Sequence, residues 1–313
     1  MEEDPINRFL AYLSRHAIRV RDVDELRSKL VKLRVDGSSK FQVVSDFDKT
    51  LTPQWLNDPC SQTGALVSCH SSYAVIECSS LLSEAYRVTC RDLAAHYVPL
   101  ENDHRLTPEE RIKVNIDWSE KAHVSLLNEN LTMNRFREIV DCSWKNVEIH
   151  LRGQTSEFFA ITRKSNVPVT VLSAGMRDVI ERIFELEGIA QDDFMRIVGN
   201  ALEFDPDTGK HVGFSKPAIL PHNKKDAVAL FLQNCEIRAN RPNALLMGDF
   251  PHDVDFIHLI PQLDEFVAIG FLADRKNHHE EALEEYLKHF DIVILGGQAN
   301  LEIPIELVKC VVG

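Results

Sequence analysis

The stretch Phe41-Gln-Val-Val-Ser-Asp46-Phe-Asp48-Lys-Thr50-Leu-Thr52 places two aspartates directly after a short apolar run. Short runs of apolar, β-branched residues are typical of buried parallel strands. Open α/β sheets bind their ligands at the carboxyl ends of such strands. Because two carboxylates this close repel each other, a divalent cation would stabilise the charged form of both. The stretch therefore predicts a parallel sheet with a metal site at one edge.

The composition is typical of a globular protein with an acidic surface. Of the 313 residues, 44% are hydrophobic and 27% are charged, which suits one large core and a smaller module. The net charge of −13 argues against a nucleic acid polymer as partner, but a small anionic substrate could bind where a metal and local lysines reverse the field. No apolar run approaches the length of a membrane span. We expect no membrane partner.

Two further features concern the cell compartment. The start of the chain has neither the basic nor the apolar region of a signal peptide. The seven cysteines form no C-x-x-C pair, which favours reduced thiols. We therefore expect a soluble, cytoplasmic protein, and we expect it to be a monomer.

Residues 53–150 differ from the rest of the chain, because they contain several helical patterns and no convincing buried strand. One of these helices should begin at Thr107, which starts a capping box with Glu110. Residues 5–34 also have helical periodicity, and we interpret them as a pair of helices. The other helices are predicted at 73–97, 132–144, 176–187, 223–232 and 278–289, and residues 158–165 should end a further helix. The strands are predicted at 41–46, 167–172, 243–247, 266–272 and 292–295, and residues 194–204 should form a strand or a hairpin arm that turns at 205–209.

Together, these patterns predict an α/β fold with a doubly wound, mainly parallel sheet. Residues 1–56 and 150–313 should form the catalytic core, with the N-terminal helices in 1–37. Residues 57–149 should form a helical cap domain over the carboxyl end of the first strand.

Three more polar groups follow predicted strands or begin predicted helices. Ser173 lies between an apolar strand and a helix, where free N–H groups favour an anion. Gly248-Asp249, followed by Asp253, again ends a strand in carboxylates, and Lys224 begins a helix. Taken singly, the serine and the aspartates are also ordinary cap or turn residues, and the lysine is also an ordinary surface residue.

In combination, these groups fit phosphoryl transfer through an aspartyl phosphate. One carboxylate attacks phosphorus, and a second protonates the leaving oxygen and later deprotonates water. Hydroxyl, ammonium and backbone N–H groups hold the phosphoryl oxygens, while Mg²⁺ neutralises carboxylate and phosphate charge. The chain has no G-x-x-x-x-G-K-[ST] loop, so it is not a P-loop NTPase.

The motifs resemble those of the haloacid dehalogenase (HAD) superfamily. Asp46-Phe-Asp48-Lys-Thr50 looks like its D-x-D-x-T signature, and the resemblance runs from about residue 41 to the C-terminus. Ser173 matches the second motif, Lys224 matches the third, and Asp249 with Asp253 matches the fourth. The sequence is also similar to that of the cytosolic 5'-nucleotidase III family, also called pyrimidine 5'-nucleotidase. The features that carry this similarity are the contexts Ser173-Ala-Gly175 and Asn223-Lys224-x-Asp226 and the helical cap. The resemblance implies a HAD-like Rossmannoid core with an inserted α-helical cap.

The resemblance also implies a role for each motif residue. Asp46 would be the nucleophile, and Asp48 the general acid and base. The transferring phosphoryl group would be bound by Ser173, Ala174, Gly175 and Lys224. Lys224 is preferred to Lys225 because it follows Asn as in the family, and Lys216 is the alternative. The cofactor Mg²⁺ would be bound by Asp46, the backbone carbonyl of Asp48, Asp249 and Asp253, the last directly or through water.

The fourth motif departs from the pattern of the family. The family usually has Gly-Asp-Ser-x-Gly-Asp, whereas this chain has Gly248-Asp249-Phe250-Pro-His252-Asp253. A small polar residue and a glycine are therefore missing from the metal loop. We expect this difference to change the backbone contacts of the loop.

The cap should select the part of the substrate that is not phosphate. Glu101 lies in a segment that resembles the one whose glutamate contacts the base in the family. On the helix after Thr107, Trp118 could stack on a base or simply pack between helices, and His123 belongs to a neighbouring stripe at helical spacing.

The expected activity is Mg²⁺-dependent hydrolysis of nucleoside 5'-monophosphates. The family acts on pyrimidine nucleotides such as CMP and UMP, and some members prefer 7-methyl-GMP; the sequence does not choose between them. Two alternatives stay open. One is a HAD phosphatase for phosphoserine or a sugar phosphate, and the other is a non-catalytic nucleotide- or metal-binding protein of the same fold.

Overall fold

A seven-stranded sheet forms the centre of the protein. The structure is a computed structural model that describes residues 4–14, 17–61, 63–101, 103, 105–220, 240–273 and 279–313. The strands of the sheet are β1 (Ile18–Val20), β2 (Phe41–Ser45), β5 (Val169–Met176), β6 (Met195–Asn200), β9 (Asn243–Gly248), β10 (Glu265–Leu272) and β11 (Ile292–Leu295). Their order is β1-β11-β10-β9-β2-β5-β6. All neighbours are parallel except β1 and β11.

Helices cover both faces of this sheet. In the described ranges they are α1 (Pro5–Leu13), α2 (Val23–Asp36), α3 (Ala74–Glu77), α4 (Glu84–Glu101), α5 (Pro108–Leu127), α6 (Met133–Lys145), α7 (Thr155–Lys164), α8 (Arg177–Glu187), α9 (His279–His289) and α10 (Glu302–Val312). Successive strand residues point to opposite faces, and Val43 and Val44 accordingly belong to two separate clusters of buried side chains. The first cluster includes residues of α1, α2, α7, α8 and α10, and the second includes residues of α9. The predicted doubly wound, mainly parallel sheet is confirmed.

Local sequence signals explain where several helices begin and end. Helix α2 begins after Asp22, whose carboxylate accepts hydrogen bonds from the N–H groups of Asp24 and Glu25 at 2.9 Å. It ends at Gly37, where φ is 74°, a conformation that glycine adopts without strain. The capping box predicted at Thr107 is present, because Thr107 and Glu110 exchange side-chain to backbone hydrogen bonds.

The segment between β2 and α7 is mostly helical, as expected. It consists of α3 to α6 and a short antiparallel pair, β3 (Trp55–Asn57) and β4 (Leu66–Ser68). Helices α4 and α5 pack against each other, while α6 also contacts α8. A second antiparallel pair, β7 (Leu202–Phe204) and β8 (His211–Phe214), contacts α5. None of the helices in the described ranges is long and apolar enough to cross a membrane.

Some predicted elements differ from the structure. Residues 5–34 contain the short edge strand β1 between their two helices, because three residues are too few to produce a period in the sequence. The helix predicted at 73–97 is two helices, α3 and α4, and α10 was not predicted. The strand predicted at 167–172 extends to Met176. The helix predicted at 223–232 lies outside the described residues.

Candidate active site

Two adjacent strands bring aspartates to the same edge of the sheet. Strand β2 runs parallel to β9, so Asp46 after β2 and Asp249 after β9 leave the sheet at the same end. The N–H of Asp46 donates to the carbonyl of Met247 at 2.9 Å, which continues the ladder up to the first aspartate. The parallel pairing therefore accounts for the approach of residues that are about 200 positions apart in the chain.

Three carboxylates meet at this edge. Asp46, Asp249 and Asp253 can each offer one oxygen, and these atoms all lie within 4.8 Å of one another. Asp46 and Asp253 are buried, at 4% and 3% exposure, so water screens their repulsion poorly. Hard oxygen ligands of this kind are those that Mg²⁺ prefers. The donor set therefore fits a divalent cation.

The unusual fourth motif still returns Asp253 to this cluster. The N–H of Phe250 donates to the Asp253 carboxylate at 3.1 Å, and the N–H of Asp253 donates to the Phe250 carbonyl at 2.9 Å. Pro251 then starts a 3₁₀ helix, Pro251–Leu259. A Cβ on Gly248 would lie only 2.6 Å from the Cβ of Asp253. Backbone contacts close this turn without the serine and glycine of the usual motif, and Gly248 is the glycine that it requires.

Asp48 is held by a residue that the sequence did not indicate. The N–H and the hydroxyl of Ser72 each donate to one oxygen of the Asp48 carboxylate, both at 2.8 Å. The Ser72 hydroxyl also accepts a hydrogen bond from the N–H of Met176 at 3.1 Å. Ser72 is fully buried. It lies between β4 and α3, in a segment without a motif, so only the folded chain shows its proximity to Asp48.

The predicted phosphate-binding residues lie in an irregular part of β5. The pairing register with β6 shifts between Leu172 and Met176, which frees the intervening backbone from the regular ladder. Within it, the Ser173 hydroxyl accepts a hydrogen bond from the N–H of Gly175 at 2.9 Å. The carbonyl of Ala174 accepts one from the side-chain amide of Asn200 at 2.7 Å. This stretch of strand is therefore fixed by side chains where the ladder is interrupted.

Gly175 lies against the second aspartate. A Cβ at this position would lie 1.9 Å from the Ser72 hydroxyl and 2.8 Å from a carboxylate oxygen of Asp48. No side chain fits there, and this contact explains the glycine of the Ser-Ala-Gly sequence. The structure thus brings Asp48 and the Ser173–Gly175 backbone together. Lys224, the predicted third-motif residue, lies outside the described residues.

Arg152 supports the turn that follows the aspartates. Its guanidinium donates to the carbonyls of Lys49, Thr50 and Ala299 at 2.6 to 2.7 Å, and it lies 4.3 Å from the ring centroid of Phe271. Arg152 is buried at 4% exposure. Burial lowers its pKa to about 10, so it stays charged at neutral pH. No sequence pattern indicates this role, because the hydrogen bonds of the guanidinium go to backbone carbonyls.

A cavity of about 220 Å³ lies beside the acidic cluster. Asp249, Lys49, Trp55 and Arg152 are among its lining residues. Lys49 has a φ of 64°, and its N–H donates to the Thr52 hydroxyl at 2.8 Å. The cationic side chains of Lys49 and Arg152 therefore line the space next to Asp249. Their positive charge offsets the acidity of the site and favours an anionic substrate.

Glu101, the last residue of α4, lies near Lys49 in the loop that follows β2, which we call the core loop. Burial raises the pKa of its carboxyl, while Asn115 of α5 and Lys49 of the core loop partly oppose that shift. The charge of Lys49, which follows Asp48 in the chain, therefore acts on the carboxylate of Glu101. Glu101 is thus placed near the candidate site.

Trp118 and His123 both pack against other aromatic rings. Trp118 is stacked on Tyr97 of α4, with ring centroids 5.8 Å apart. His123 is stacked on Phe214 of β8 at 3.5 Å. Burial, together with the charge of His211, lowers the pKa of His123 to about 4, so it is neutral at pH 7. Each ring therefore has one face covered by protein.

The arrangement defines a class of protein. The central strand β2 is followed by Asp46-x-Asp48, and its neighbour β5 carries Ser173. Its other neighbour, β9, is followed by Asp249 and Asp253 of the acidic cluster. This is the arrangement of a HAD-type fold. A solved HAD family hydrolase from Salmonella enterica serovar Typhi has a TM-score of 0.51 to this chain at 10% identity, covering 87% of this chain and 72% of that one.

Comparison with known proteins identifies the family. The profile of the pyrimidine 5'-nucleotidase (UMPH-1) family matches residues 61–312, so the chain belongs to this family. It is 29% identical over 286 residues to 7-methylguanosine phosphate-specific 5'-nucleotidase A of Xenopus laevis, covering 91% of this chain and 93% of the relative. The human 7-methylguanosine phosphate-specific 5'-nucleotidase is 27% identical over 282 residues, covering 90% and 88%.

The fold agrees with that of a solved member of the 5'-nucleotidases. The crystal structure of cytosolic 5'-nucleotidase IIIB bound to cytidine has a TM-score of 0.79 to this chain at 23% identity. The match covers 97% of this chain and 96% of that one. At this identity the likeness concerns the fold, and it extends over nearly the whole length of both chains.

Proposed function

We propose that this member of the 5'-nucleotidase family hydrolyses a nucleoside 5'-monophosphate to nucleoside and phosphate through an aspartyl phosphate on Asp46. The observation that carries the proposal is the convergence of Asp46, Asp249 and Asp253 within 4.8 Å, with Asp48 two residues from the first. Such a cluster is suited to neutralising carboxylate and phosphate charge around one cation.

The proposed reaction uses the two aspartates of the first motif in turn. A carboxylate oxygen of Asp46 attacks phosphorus, and the bond between phosphorus and the 5'-oxygen breaks. Asp48 gives its proton to the leaving 5'-oxygen. Asp48 then takes a proton from water, whose oxygen attacks the phosphorus and releases the Asp46 carboxylate. Asp48 thereby regains its proton, and the cycle closes.

The phosphoryl oxygens need donors and positive charge. We assign the donors to Ser173, to the backbone of Ala174 and Gly175, and to Lys224. The irregular register at this part of β5 supports the assignment of the Ala174 N–H, since N–H groups outside a regular ladder can bind a ligand. The Gly175 N–H donates to the Ser173 hydroxyl in this structure and would have to exchange that partner for a phosphoryl oxygen.

We assign the cofactor role to Mg²⁺. Asp46, Asp249, Asp253 and the backbone carbonyl of Asp48 would hold it. When bound, the ion supplies positive charge that allows a carboxylate and a phosphate to approach each other. The buried all-oxygen cluster supports this assignment.

The base is proposed to bind beneath the cap of residues 57–149. Glu101 lies near Lys49 of the core loop, and a carboxylate there would favour a base that carries positive charge, such as 7-methylguanine. The relatives named 7-methylguanosine phosphate-specific 5'-nucleotidases support that substrate, and the cytidine complex supports CMP. Trp118 and His123 would have to offer their uncovered faces or edges to the base.

We further propose a monomer in the cytoplasm. The cysteines among the described residues are free thiols, which suits a reducing compartment. The structural neighbour is named a cytosolic 5'-nucleotidase, which supports the cytoplasm as the compartment.

A substrate panel tests the proposed function. Phosphate release should be measured from 7-methyl-GMP, CMP, UMP, GMP, phosphoserine and glucose 6-phosphate in Mg²⁺ buffer. We expect 7-methyl-GMP or CMP to have the highest kcat/KM, at least about tenfold above phosphoserine, because one base contact is worth over 1 kcal/mol. Equal or faster turnover of phosphoserine or the sugar phosphate would overturn the nucleotide assignment. Release from none of them would favour a non-catalytic binder.

Metal binding has a readout that does not depend on activity. Mg²⁺ should raise the thermal midpoint of the chelator-treated protein, because it relieves repulsion among three carboxylates; at 100 times its Kd the gain is about 2.7 kcal/mol. Asp253→Asn should abolish most of the gain. Asp255→Asn, on the same 3₁₀ helix but exposed, is the matched control and should keep it. An unchanged gain in Asp253→Asn would remove Asp253 from the metal site.

A further inference from the structure

Ser72 holds the second aspartate by two hydrogen bonds. Both of its polar groups bind Asp48, one to each carboxylate oxygen at 2.8 Å, so the carboxylate can neither rotate nor shift without breaking a hydrogen bond. Ser72 is itself fixed, because it is fully buried and its hydroxyl accepts the N–H of Met176. The absent side chain of Gly175 leaves the space that this hydroxyl occupies.

The hydroxyl is suited to a partner that changes its protonation state. A backbone N–H can only donate, whereas a serine hydroxyl can donate or accept. The hydroxyl donates to one oxygen of Asp48 and can keep this bond when the other oxygen carries the transferred proton, while it continues to accept from Met176 N–H. The contact is thus compatible with both halves of the reaction.

The position of Ser72 in the chain adds a second property. It lies two residues before α3, inside the segment assigned to the cap, and α3 packs against α4 and α6. Asp48, in contrast, belongs to the core loop after β2. The two hydrogen bonds that join Ser72 and Asp48 therefore connect the helical segment directly to the second carboxylate of the core.

From this geometry we infer that Ser72 is a positioning residue that aims Asp48 at the leaving oxygen and ties its orientation to the cap. This inference rests on the proposed function, specifically on Asp48 as general acid and base. It assigns to the first residues of the cap segment a part in the chemical step, in addition to substrate selection.

The test is the dependence of Ser72→Ala on the leaving group. A nucleoside 5'-oxygen needs a proton to depart, whereas p-nitrophenolate departs as an anion. In single-turnover measurements, Ser72→Ala should lower the rate of nucleoside release at least about tenfold, since general acid catalysis contributes 10²–10⁴-fold. The burst of p-nitrophenolate from p-nitrophenyl phosphate should change less than about threefold. A purely structural defect would lower both rates equally.

Two further variants separate the possible outcomes. Ser143→Ala is the matched control, because Ser143 is a buried serine whose hydroxyl also donates to a carboxylate, that of Glu148 at 2.6 Å; both of its rates should stay near wild type. Asp48→Asn reports on the proposed function itself. If Asp48→Asn shows the leaving-group effect and Ser72→Ala does not, the positioning role is wrong and the function stands. If Asp48→Asn lacks the effect, the assigned role of Asp48 is wrong, and the inference falls with it.

Discussion

Replacing Asp46 with asparagine should reduce phosphate release by at least about 10⁴-fold, because an amide oxygen is a far poorer nucleophile than a carboxylate. The change is isosteric at a position that is 4% exposed, so the fold should persist. It also removes one charge from the acidic cluster, which should weaken Mg²⁺ binding. Phosphate release and the acid-stable phosphoprotein formed on rapid quenching are the two quantities to measure.

The control for this variant must also be an aspartate near the same edge. Asp255→Asn alters an exposed carboxylate on the 3₁₀ helix that carries Asp253, and it should keep the wild-type rate and the phosphoprotein. If Asp46→Asn retained phosphate release with a normal phosphoprotein yield, covalent catalysis at this position would have to be abandoned.

Replacing Arg152 with methionine should lower the free energy of unfolding by at least about 3 kcal/mol. The guanidinium is buried and donates to three backbone carbonyls, and each carbonyl left without a donor costs about 1–3 kcal/mol. Methionine keeps only the apolar stem of the side chain, so it removes the hydrogen bonds, the charge and the contact of the guanidinium with Phe271 together. Urea unfolding measures the change. Activity should also fall, because two of the carbonyls belong to the turn after Asp48.

Two variants calibrate that result. Arg152→Lys keeps the charge but has no planar fork, so it should lie between wild type and methionine. Arg137→Met removes an arginine that pairs with Glu185 on the surface at 3.3 Å, and such pairs contribute about 0–1 kcal/mol. If Arg152→Met were no more destabilising than Arg137→Met, the support of the turn by Arg152 would be disproved.

The sequence was sufficient for the parts of the site that follow a strand. A buried strand must end at a sheet edge, and parallel pairing brings the ends of neighbouring strands together; this is why Asp46 and Asp249 could be placed together from apolar runs alone. Helix caps could be predicted equally well, as Thr107 shows, because they depend on neighbours within a few residues. The sheet class followed from the alternation of these local patterns.

The supporting residues Ser72 and Arg152 could not be predicted from the sequence, for a physical reason. Ser72 and Arg152 act through contacts with residues 24 and about 100 positions away, and neither position has a local pattern that forecasts such a contact. Their partners are also largely backbone atoms, which every residue supplies. A sequence pattern can identify the groups that react, whereas the groups that orient them depend on the final packing.

The predictions for Trp118 and His123 show a related limit of reasoning from the sequence. Trp118 and His123 were selected from one helix by their spacing, but spacing identifies a face without identifying what covers it. The structure stacks the first on Tyr97 and the second on Phe214. Their roles toward a base stay a prediction, which the substrate panel with Trp118→Leu and His123→Leu would test.

The position of β2 within the sheet has a consequence for biosynthesis. Its pairing partners β5 and β9 follow it by more than 120 and about 200 residues. A ribosome must therefore release most of the polypeptide before this wholly buried strand gains both neighbours. Until then the nascent chain exposes Phe41–Ser45, a segment prone to aggregation. We expect truncated chains that end before Asn243 to depend on chaperones.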